Sequence, residues 1–235
     1  MPSNPIVLGF DTSAAHCAAA LLSGDKVWAE RHIDLARGQA EALFPLIEKM
    51  MADEGVVWSD IGLIAVGVGP GNFTGTRISV SAARGLALAL GIPSIGVTTF
   101  EAMRGAKSLA DKRPVLVSLP APRGSVYLQE FEHGEATGKP QQVSLWSDPI
   151  ALTTDIKEVI GHEAREVAHY LHQFGQTKTE LPGFQAVSTR IGATIAAIAQ
   201  DKWQGGAVIS DRPAPVYVRH ADAAPPRDAA PVILP

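Results

Sequence analysis

The feature that most constrains the fold is a strand, a glycine turn and a helix that follow one another directly between Leu63 and Gly91. Leu63 to Val68 (LIAVGV) is a short apolar run with β-branched residues, which is typical of a buried strand. The Gly-Pro-Gly sequence of Gly69 to Gly71 predicts a sharp turn, because glycine adopts backbone dihedrals closed to other residues. Thr74 is the expected N-cap of a helix that reaches Leu90. Such an order predicts an α/β fold.

The glycine turn could bind an anion, since backbone N–H groups free of neighbouring side chains can face a phosphate. Its spacing matches neither common phosphate motif. Gly67, Gly69 and Asn72 give G-x-G-x-x-N, which lacks the third glycine of the dinucleotide fingerprint. Thr76 stands where a P-loop has its lysine, which leaves Arg77 as the nearby cation. A phosphate-binding loop and a plain strand-to-helix turn therefore both remain open.

A second group of polar residues follows the first apolar run, Ile6 to Phe10. The carboxylate and hydroxyls of Asp11 to Ser13 could coordinate Mg²⁺ or phosphate at a strand end, or they could stabilise a turn. His16 to Leu22 and Lys26 to His32 are predicted to be two further strands joined by a tight turn. The candidate nucleotide or anion loop comprises Asp11, Thr12, Ser13, Gly69, Pro70, Gly71, Thr74, Gly75 and Arg77.

Composition limits the classes of function. The 235 residues are 46% hydrophobic and 19% charged, as in a globular protein with an ample core. A net charge of -4 argues against a broad basic surface that binds nucleic acid unaided. The single cysteine, Cys17, lies in an apolar run and is expected to be a buried, inert thiol in a reducing compartment. Neither a signal peptide nor a membrane span is predicted, so a cytoplasmic location is expected.

The remaining sequence predicts further strands at Ile92 to Val97, Val115 to Leu119 and Val126 to Phe131, the last of them half-exposed. Helices are expected over Gln39 to Met51, from Thr98 or Thr99 to about residue 110, and over Ile191 to Ala199. The predicted order of the first lobe is therefore β-β-β-α-β-α-β-α. The expected division is a first lobe over residues 1–110, a smaller, divergent second lobe over 111–220 and an Ala/Pro-rich tail over 221–235.

The segment from His162 to His172 contains three histidines and partly matches a zinc-binding motif. Helical spacing could bring His162, Glu166, His169 and His172 to one face, but Glu166 stands where an H-E-x-x-H zinc motif has its second histidine. A solvated polar helix face is therefore the favoured interpretation, and no metal site is predicted.

Three stretches together resemble the TsaB (YeaZ) family: FDTSAAHCAAALL, QAEALFPLIEKM, and the segment that begins GVGPGNFTGTR. The resemblance is dense over roughly the first 105 residues, where the G-P-G-x-F-T-G-x-R pattern of Gly69 to Arg77 carries it. Shorter matches occur at Arg123 to Tyr127 and at Pro215 to Arg219. The family is the smaller, non-catalytic member of the bacterial machinery that forms threonylcarbamoyladenosine beside the tRNA anticodon.

The resemblance implies a two-lobed, actin-like ATPase fold (ASKHA, ribonuclease H-like) with mixed sheets flanked by helices. It also implies a TsaD-like catalytic partner, a TsaE-like accessory ATPase, and a homodimer when the chain is alone. Contact with tRNA would occur only through the complex. The chain would have no catalytic residues and no cofactor of its own, although ATP or ADP could lie at the partner interface. The implied partner or dimer contacts are Leu43, Phe44, Ile47, Ile78, Ser79, Ala82, Ala83, Gly85 and Leu86.

The chain departs from the family pattern in two segments, and it also lacks a metal-binding pair that the catalytic relatives carry. Pro120 to Pro122 stand where relatives carry Asp-Ala-Arg, and Ser125 replaces a glutamate. Gly38 to Glu41 replace a His-Ser-Glu segment, and the H-x-x-x-H metal pair of the catalytic relatives has no counterpart. Two other functions remain open: a stand-alone ATPase or small-molecule kinase of the same fold, and a glycoprotease-like metallopeptidase.

Overall fold

A computed structural model describes residues 5–105, 113–145, 147, 149–178, 181–184, 190–206 and 212–218, which form two mixed five-stranded sheets flanked by helices. The first sheet has the order β3-β2-β1-β4-β5, with β1 antiparallel to β2 and parallel to β4. Its strands and helices are β1 (Ile6–Asp11), β2 (His16–Ser23), β3 (Lys26–Asp34), α1 (Gln39–Asp53), β4 (Ile61–Gly67), α2 (Phe73–Leu90), β5 (Ser94–Val97) and α3 (Thr99–Arg104). This order confirms the β-β-β-α-β-α-β-α reading of the first lobe.

The second sheet has the order β10-β9-β6-β7-β8, with β6 antiparallel to β7 and parallel to β9. Its elements are β6 (Val115–Pro120), β7 (Val126–Glu132), β8 (Glu135–Val143), β9 (Glu158–Gly161), α4 (Ala164–Gln173) and β10 (Gly183–Phe184). A final helix, α5 (Ile191–Gln204), follows. The two lobes confirm the predicted α/β fold class.

Both faces of the first sheet are covered by helices. Leu8 and Phe10 pack with Leu43 and Ile47 of α1, and with Val80 of α2, on one face. On the other face Val7, Leu63 and Ala65 pack with Ile195 and Ala199 of α5. In sequence α5 falls within the range predicted for the second lobe, but in space it packs on the first sheet. Since the first strands are buried on both faces, they lack the alternation of an exposed sheet.

The helix α3 is shorter than expected. It begins at a capping box in which the Thr98 hydroxyl accepts from Glu101 N and the Glu101 carboxylate accepts from Thr98 N. It ends at Arg104, because Gly105 adopts a φ of 89°. Residues 106–112, which include the predicted end of this helix near residue 110, and the tail 221–235 lie outside the described residues.

None of the helices in the described part of the chain is both long and apolar enough to span a membrane.

Candidate functional site

All residues of the predicted anion loop except Arg77 lie at one place, the β1–α2 junction, which we define as Asp11 to Ser13 together with Gly67 to Gly75. Arg77 lies apart from it, beside Phe73 and Tyr217. Thr12 Oγ1 donates a hydrogen bond of 2.6 Å to the Gly75 carbonyl oxygen. The backbone N–H of Asn72 donates a hydrogen bond of 2.5 Å to the Ser13 carbonyl oxygen. The end of β1 and the start of α2 therefore bind each other directly, as sequence alone could not show.

Two glycines make this close contact possible. A Cβ atom at Gly75 would lie 1.9 Å from the Thr12 carbonyl oxygen, and one at Gly67 would lie 1.9 Å from Asp11 Oδ1. A side chain at Gly75 would displace the backbone that follows β1, and one at Gly67 would displace the buried Asp11 side chain. Close packing between these two segments of the chain therefore requires glycine at both positions, of which Gly75 belongs to the predicted ligand loop.

The amides at the start of α2 are largely occupied by the chain itself. Asn72 is the N-cap, and its Oδ1 accepts hydrogen bonds of 3.0 Å from both Thr74 N and Gly75 N. The Asn72 carbonyl oxygen accepts from Thr76 N at 2.9 Å. The prediction that Thr74 caps the helix is therefore wrong, because α2 already begins at Phe73 and Asn72 supplies the cap.

Removal of this cap should weaken the first turn of α2. Replacement of Asn72 by alanine is expected to lower the free energy of unfolding by about 1 kcal/mol, because two amides lose their acceptor. Asn72→Asp, which keeps an acceptor oxygen and favours the positive helix N-terminus, should stay near wild type. Chemical denaturation of the three proteins measures the difference, and equal stability of the alanine variant would contradict this role for Asn72.

The Asp11 carboxylate is buried, and other residues of the loop and β2 hold it. Its Oδ2 accepts from Ser13 N at 3.0 Å and from Ser13 Oγ at 2.9 Å, and lies 2.7 Å from His16 Nε2. The His16 ring centroid lies 5.0 Å from that of His32. These contacts favour the alternative in which Asp11 stabilises the turn. Binding of Mg²⁺, phosphate or nucleotide at this loop stays a prediction.

No group of three or more His, Cys, Asp or Glu side chains that could hold a metal ion occurs among the residues whose placement is described. Cys17 is free and buried, as expected. Burial and, to a smaller extent, the charge of Asp11 raise the pKa of its thiol above the ordinary value. The thiol therefore stays protonated and unreactive at neutral pH.

The predicted partner contacts divide into two groups. Ile47, Ser79 and Ala83 are fully buried in the first lobe, and Ser79 Oγ donates to the Gly67 carbonyl oxygen at 3.1 Å. Leu43 is also buried and lies at the floor of a groove between α1 and α2. These four side chains are buried within the first lobe, because helical spacing identifies an apolar face but not which side of it meets the sheet. A contact between them and a partner stays a prediction.

The other predicted contacts lie on the outer side of the same helices. Phe44 and Gly85 are exposed, and Ile78, Ala82 and Leu86 are half-buried. The space between α1 and α2 forms an open groove, which we call the α1–α2 groove, with a volume of about 480 Å³. Its lining includes Phe44, Phe73, Arg77, Ile78, Ser81 and Ala82. Phe44 remains 39% exposed and Phe73 50%, so the groove presents aromatic surface to solvent.

Sequence reasoning missed two residues beside this groove, Phe73 and Tyr217. The Arg77 guanidinium carbon lies 3.6 Å from the centroid of the Phe73 ring, and Arg77 Nε donates to Tyr217 Oη at 2.9 Å. The Phe73 and Tyr217 ring centroids are 5.6 Å apart. Tyr217 lies in Pro215 to Arg219, a segment that resembles the TsaB family. That resemblance was the sequence feature that could have indicated a functional role for this segment.

Comparison with known proteins identifies the family. The family model for TsaD, tRNA N6-adenosine threonylcarbamoyltransferase, matches residues 34–198, more than half of the chain. The tRNA threonylcarbamoyladenosine biosynthesis protein TsaB of Escherichia coli is 35% identical over 140 residues, which cover 56% of this chain and 60% of the relative. The TsaB of Haemophilus influenzae is 33% identical over 131 residues, 54% of each chain. The chain thus spans less than two thirds of the length of these curated relatives.

A solved structure shows the same fold over nearly the whole chain. YeaZ from Pseudomonas aeruginosa superposes with a TM-score of 0.69 at 23% identity, over 91% of this chain and 99% of that one. The tRNA N6-adenosine threonylcarbamoyltransferase of Erythrobacter litoralis is also similar, at 33% identity over 122 residues, which cover 45% of this chain and 36% of the relative. The chain therefore belongs to the family covered by the tRNA N6-adenosine threonylcarbamoyltransferase model and, within it, to the TsaB (YeaZ) proteins.

Proposed function

We propose that this chain is a non-catalytic subunit that binds a TsaD-like catalytic partner through the α1–α2 groove. Together they would form N6-threonylcarbamoyladenosine next to the anticodon of tRNAs that read codons beginning with A. A TsaE-like ATPase would act on the same complex, and tRNA would be contacted through the complex. The names of the TsaB relatives, which are tRNA threonylcarbamoyladenosine biosynthesis proteins, support a role in forming this modified adenosine.

The observation that carries the proposal is the contrast between the two candidate sites. At the β1–α2 junction the Asp11 carboxylate and the first amides of α2 already have hydrogen-bond partners within the chain. In the α1–α2 groove, by contrast, aromatic and small side chains face solvent. Exposed apolar surface of this kind is typical of a binding interface. The chain is therefore better suited to docking than to chemistry.

The proposal extends to the oligomer, the nucleotide and the location. In the absence of the partner, the same groove would allow two copies of the chain to pair, since exposed apolar surface favours association. Any ATP or ADP would lie where this chain meets its partner rather than at a loop of its own. The complex would work in the cytoplasm, where tRNA is modified.

Reconstitution tests the function directly. The purified chain, the TsaD-like partner and the TsaE-like ATPase are mixed with unmodified tRNA, the threonylcarbamoyl donor and ATP, and modified adenosine is measured by mass spectrometry. We expect modification in the complete mixture and none when this chain is omitted or supplied alone. Equal modification without this chain, or turnover by the isolated chain, would contradict the proposal.

A charged substitution locates the interface. Ala82 is half-buried and lines the groove, so Ala82→Arg should leave the fold intact while placing an unpaired charge in the contact. We expect the dissociation constant for the partner to rise by at least about 100-fold. Ala136→Arg, at an exposed position on β8, is the matched control and should bind like wild type. Calorimetry measures the dissociation constants of both variants. Undiminished binding by Ala82→Arg would place the interface elsewhere.

A further inference from the structure

We propose that Arg77, Phe73 and Tyr217 form a receptor for one carboxylate of the partner, which we call the Arg77 receptor. It lies beside the α1–α2 groove, and it would bind an Asp or Glu on a helix of the TsaD-like subunit. The inference rests on the proposed function and adds the chemistry by which the surface selects its partner.

The geometry of Arg77 leaves one side of its guanidinium ready for a ligand. Phe73 covers a face of the group, with the guanidinium carbon 3.6 Å from the ring centroid. Tyr217 Oη accepts the Nε proton at 2.9 Å. A planar guanidinium held in this way can direct its two terminal nitrogens toward a carboxylate, which they bind as a fork.

The charge of Arg77 has no acidic partner in the described part of the chain, where no carboxylate oxygen lies within 4.0 Å of its guanidinium. The helix α2 carries two arginines, Arg77 and Arg84, and no acidic residue. The other side chains that line the groove near Arg77 are apolar or small and uncharged. Burial of this face against a partner would leave the positive charge of Arg77 uncompensated unless the partner supplies a negative one. Charge complementarity therefore requires an Asp or Glu opposite Arg77.

Tyr217 is held in place by the segment that carries it. The amide of Val216 donates to the Val68 carbonyl oxygen at 2.8 Å, and the Val216 side chain packs against the core of the first lobe. Pro213 lies against Gly96 of β5. Residues 212–218 are therefore anchored to the first lobe, and Tyr217 is a positioning residue for Arg77. A receptor fixed before binding loses less conformational entropy when the partner arrives.

The shape of the groove favours a helix as the occupant. Two helices form its sides, and the row of Ile78, Ser81 and Ala82 leaves room for the ridge of a third helix. Recognition of an amphipathic helix in such a groove depends on apolar side chains one turn apart. The partner helix should thus place an apolar side chain in the groove and a carboxylate next to it, opposite Arg77.

Calorimetry with the purified TsaD-like partner, at low and high salt, tests the receptor with full-length chains. Arg77→Ala should raise the dissociation constant by about 30-fold or more, as expected for an interface arginine that pairs with a carboxylate of the partner. Arg77→Lys keeps the charge but not the fork and should recover only part of the affinity. Arg165→Ala, which removes an exposed arginine from α4 in the other lobe, is the matched control and should bind like wild type.

Tyr217→Phe separates positioning from packing, because it removes only the hydroxyl that holds Arg77 Nε. We expect Tyr217→Phe to weaken binding by about 3- to 10-fold in the wild-type background. In the Arg77→Ala background it should have no effect, because the hydroxyl acts on binding only through Arg77. The salt dependence of binding should fall in Arg77→Ala. Thermal unfolding confirms that each variant is folded, and Arg77→Lys and Tyr217→Phe carry the test if Arg77→Ala is not.

The outcomes separate the receptor from the proposed function. Normal binding by Arg77→Ala together with lost binding by Ala82→Arg would overturn the receptor and leave the proposed function standing. A wild-type chain that does not bind the partner would overturn both. Loss of self-association in Arg77→Ala with unchanged partner binding would show that the receptor serves a second copy of the chain, which also contradicts the proposal.

Discussion

Replacement of Gly75 by alanine is expected to lower the free energy of unfolding by about 3 kcal/mol or more. The new Cβ would lie 1.9 Å from the Thr12 carbonyl oxygen, which belongs to the backbone and cannot rotate away. Relief of the clash must separate the end of β1 from the start of α2. That movement would lengthen or break the hydrogen bond from Thr12 Oγ1 to the Gly75 carbonyl oxygen, now 2.6 Å long. The Tm should fall by about 6–12 °C.

Gly85 on the same helix provides the matched control. A Cβ at Gly85 would meet nothing within 4 Å, and the position lies inside α2. Gly85→Ala should therefore stabilise the protein by about 0.5–1 kcal/mol through helix propensity alone. Urea denaturation of both variants and the wild type measures the free energy of unfolding, which should fall in Gly75→Ala and rise in Gly85→Ala. Equal effects of the two substitutions would show that the β1–α2 junction is not the tightly packed contact described above.

This pair of glycines also shows what the sequence could predict. The apolar runs and turn residues predicted β1 to β7 and the order of the first lobe, because short-range patterns report on strands and helices. The same patterns could not show that Gly75 packs on Thr12, 63 residues away in sequence. A Gly-Pro-Gly turn fits a ligand loop and a close backbone contact equally well. Only the fold distinguishes the two.

The α1–α2 groove was predicted only in part for a related reason. The spacing of Leu43, Phe44 and Ile47 shows a wide apolar face, but not where the sheet covers it. In the structure Leu43 and Ile47 meet the core while Phe44 stays 39% exposed. The position of α5 was likewise hidden, because its small and apolar residues would suit either sheet. Long-range contacts decide both questions.

The strand β7 shows the same limit in the second lobe. Its alternating sequence predicts a half-exposed strand, yet Gln129 and Glu130 are both buried. The side chain of Glu130 continues the row of Val126 and Leu128, which packs beneath Ile150 and Ile156 of the irregular segment between β8 and β9. A charge at the end of a buried row requires compensation, and that segment supplies it.

The Glu130 carboxylate is bound by two successive threonines. Its Oε2 accepts from Thr153 N at 3.0 Å and from Thr154 N at 2.8 Å. It also accepts from the hydroxyls of Thr153, at 3.1 Å, and Thr154, at 2.6 Å. One side chain thus satisfies two backbone amides and two hydroxyls, and it holds the segment that covers this face of the second sheet.

Replacement of Glu130 by alanine should therefore destabilise the protein by about 3 kcal/mol, because four hydrogen bonds to one buried carboxylate are lost together. Glu130→Gln keeps one acceptor oxygen and the same shape, so we expect a smaller loss, about 1–2 kcal/mol. Glu135→Ala, at an exposed position on β8, should change the stability by less than about 0.5 kcal/mol.

Urea denaturation ranks the three variants, and hydrogen exchange at the Thr153 and Thr154 amides reports on the segment itself. Those amides should exchange faster in Glu130→Ala than in wild type because the carboxylate protects them, and unchanged protection would mean that other contacts hold the segment.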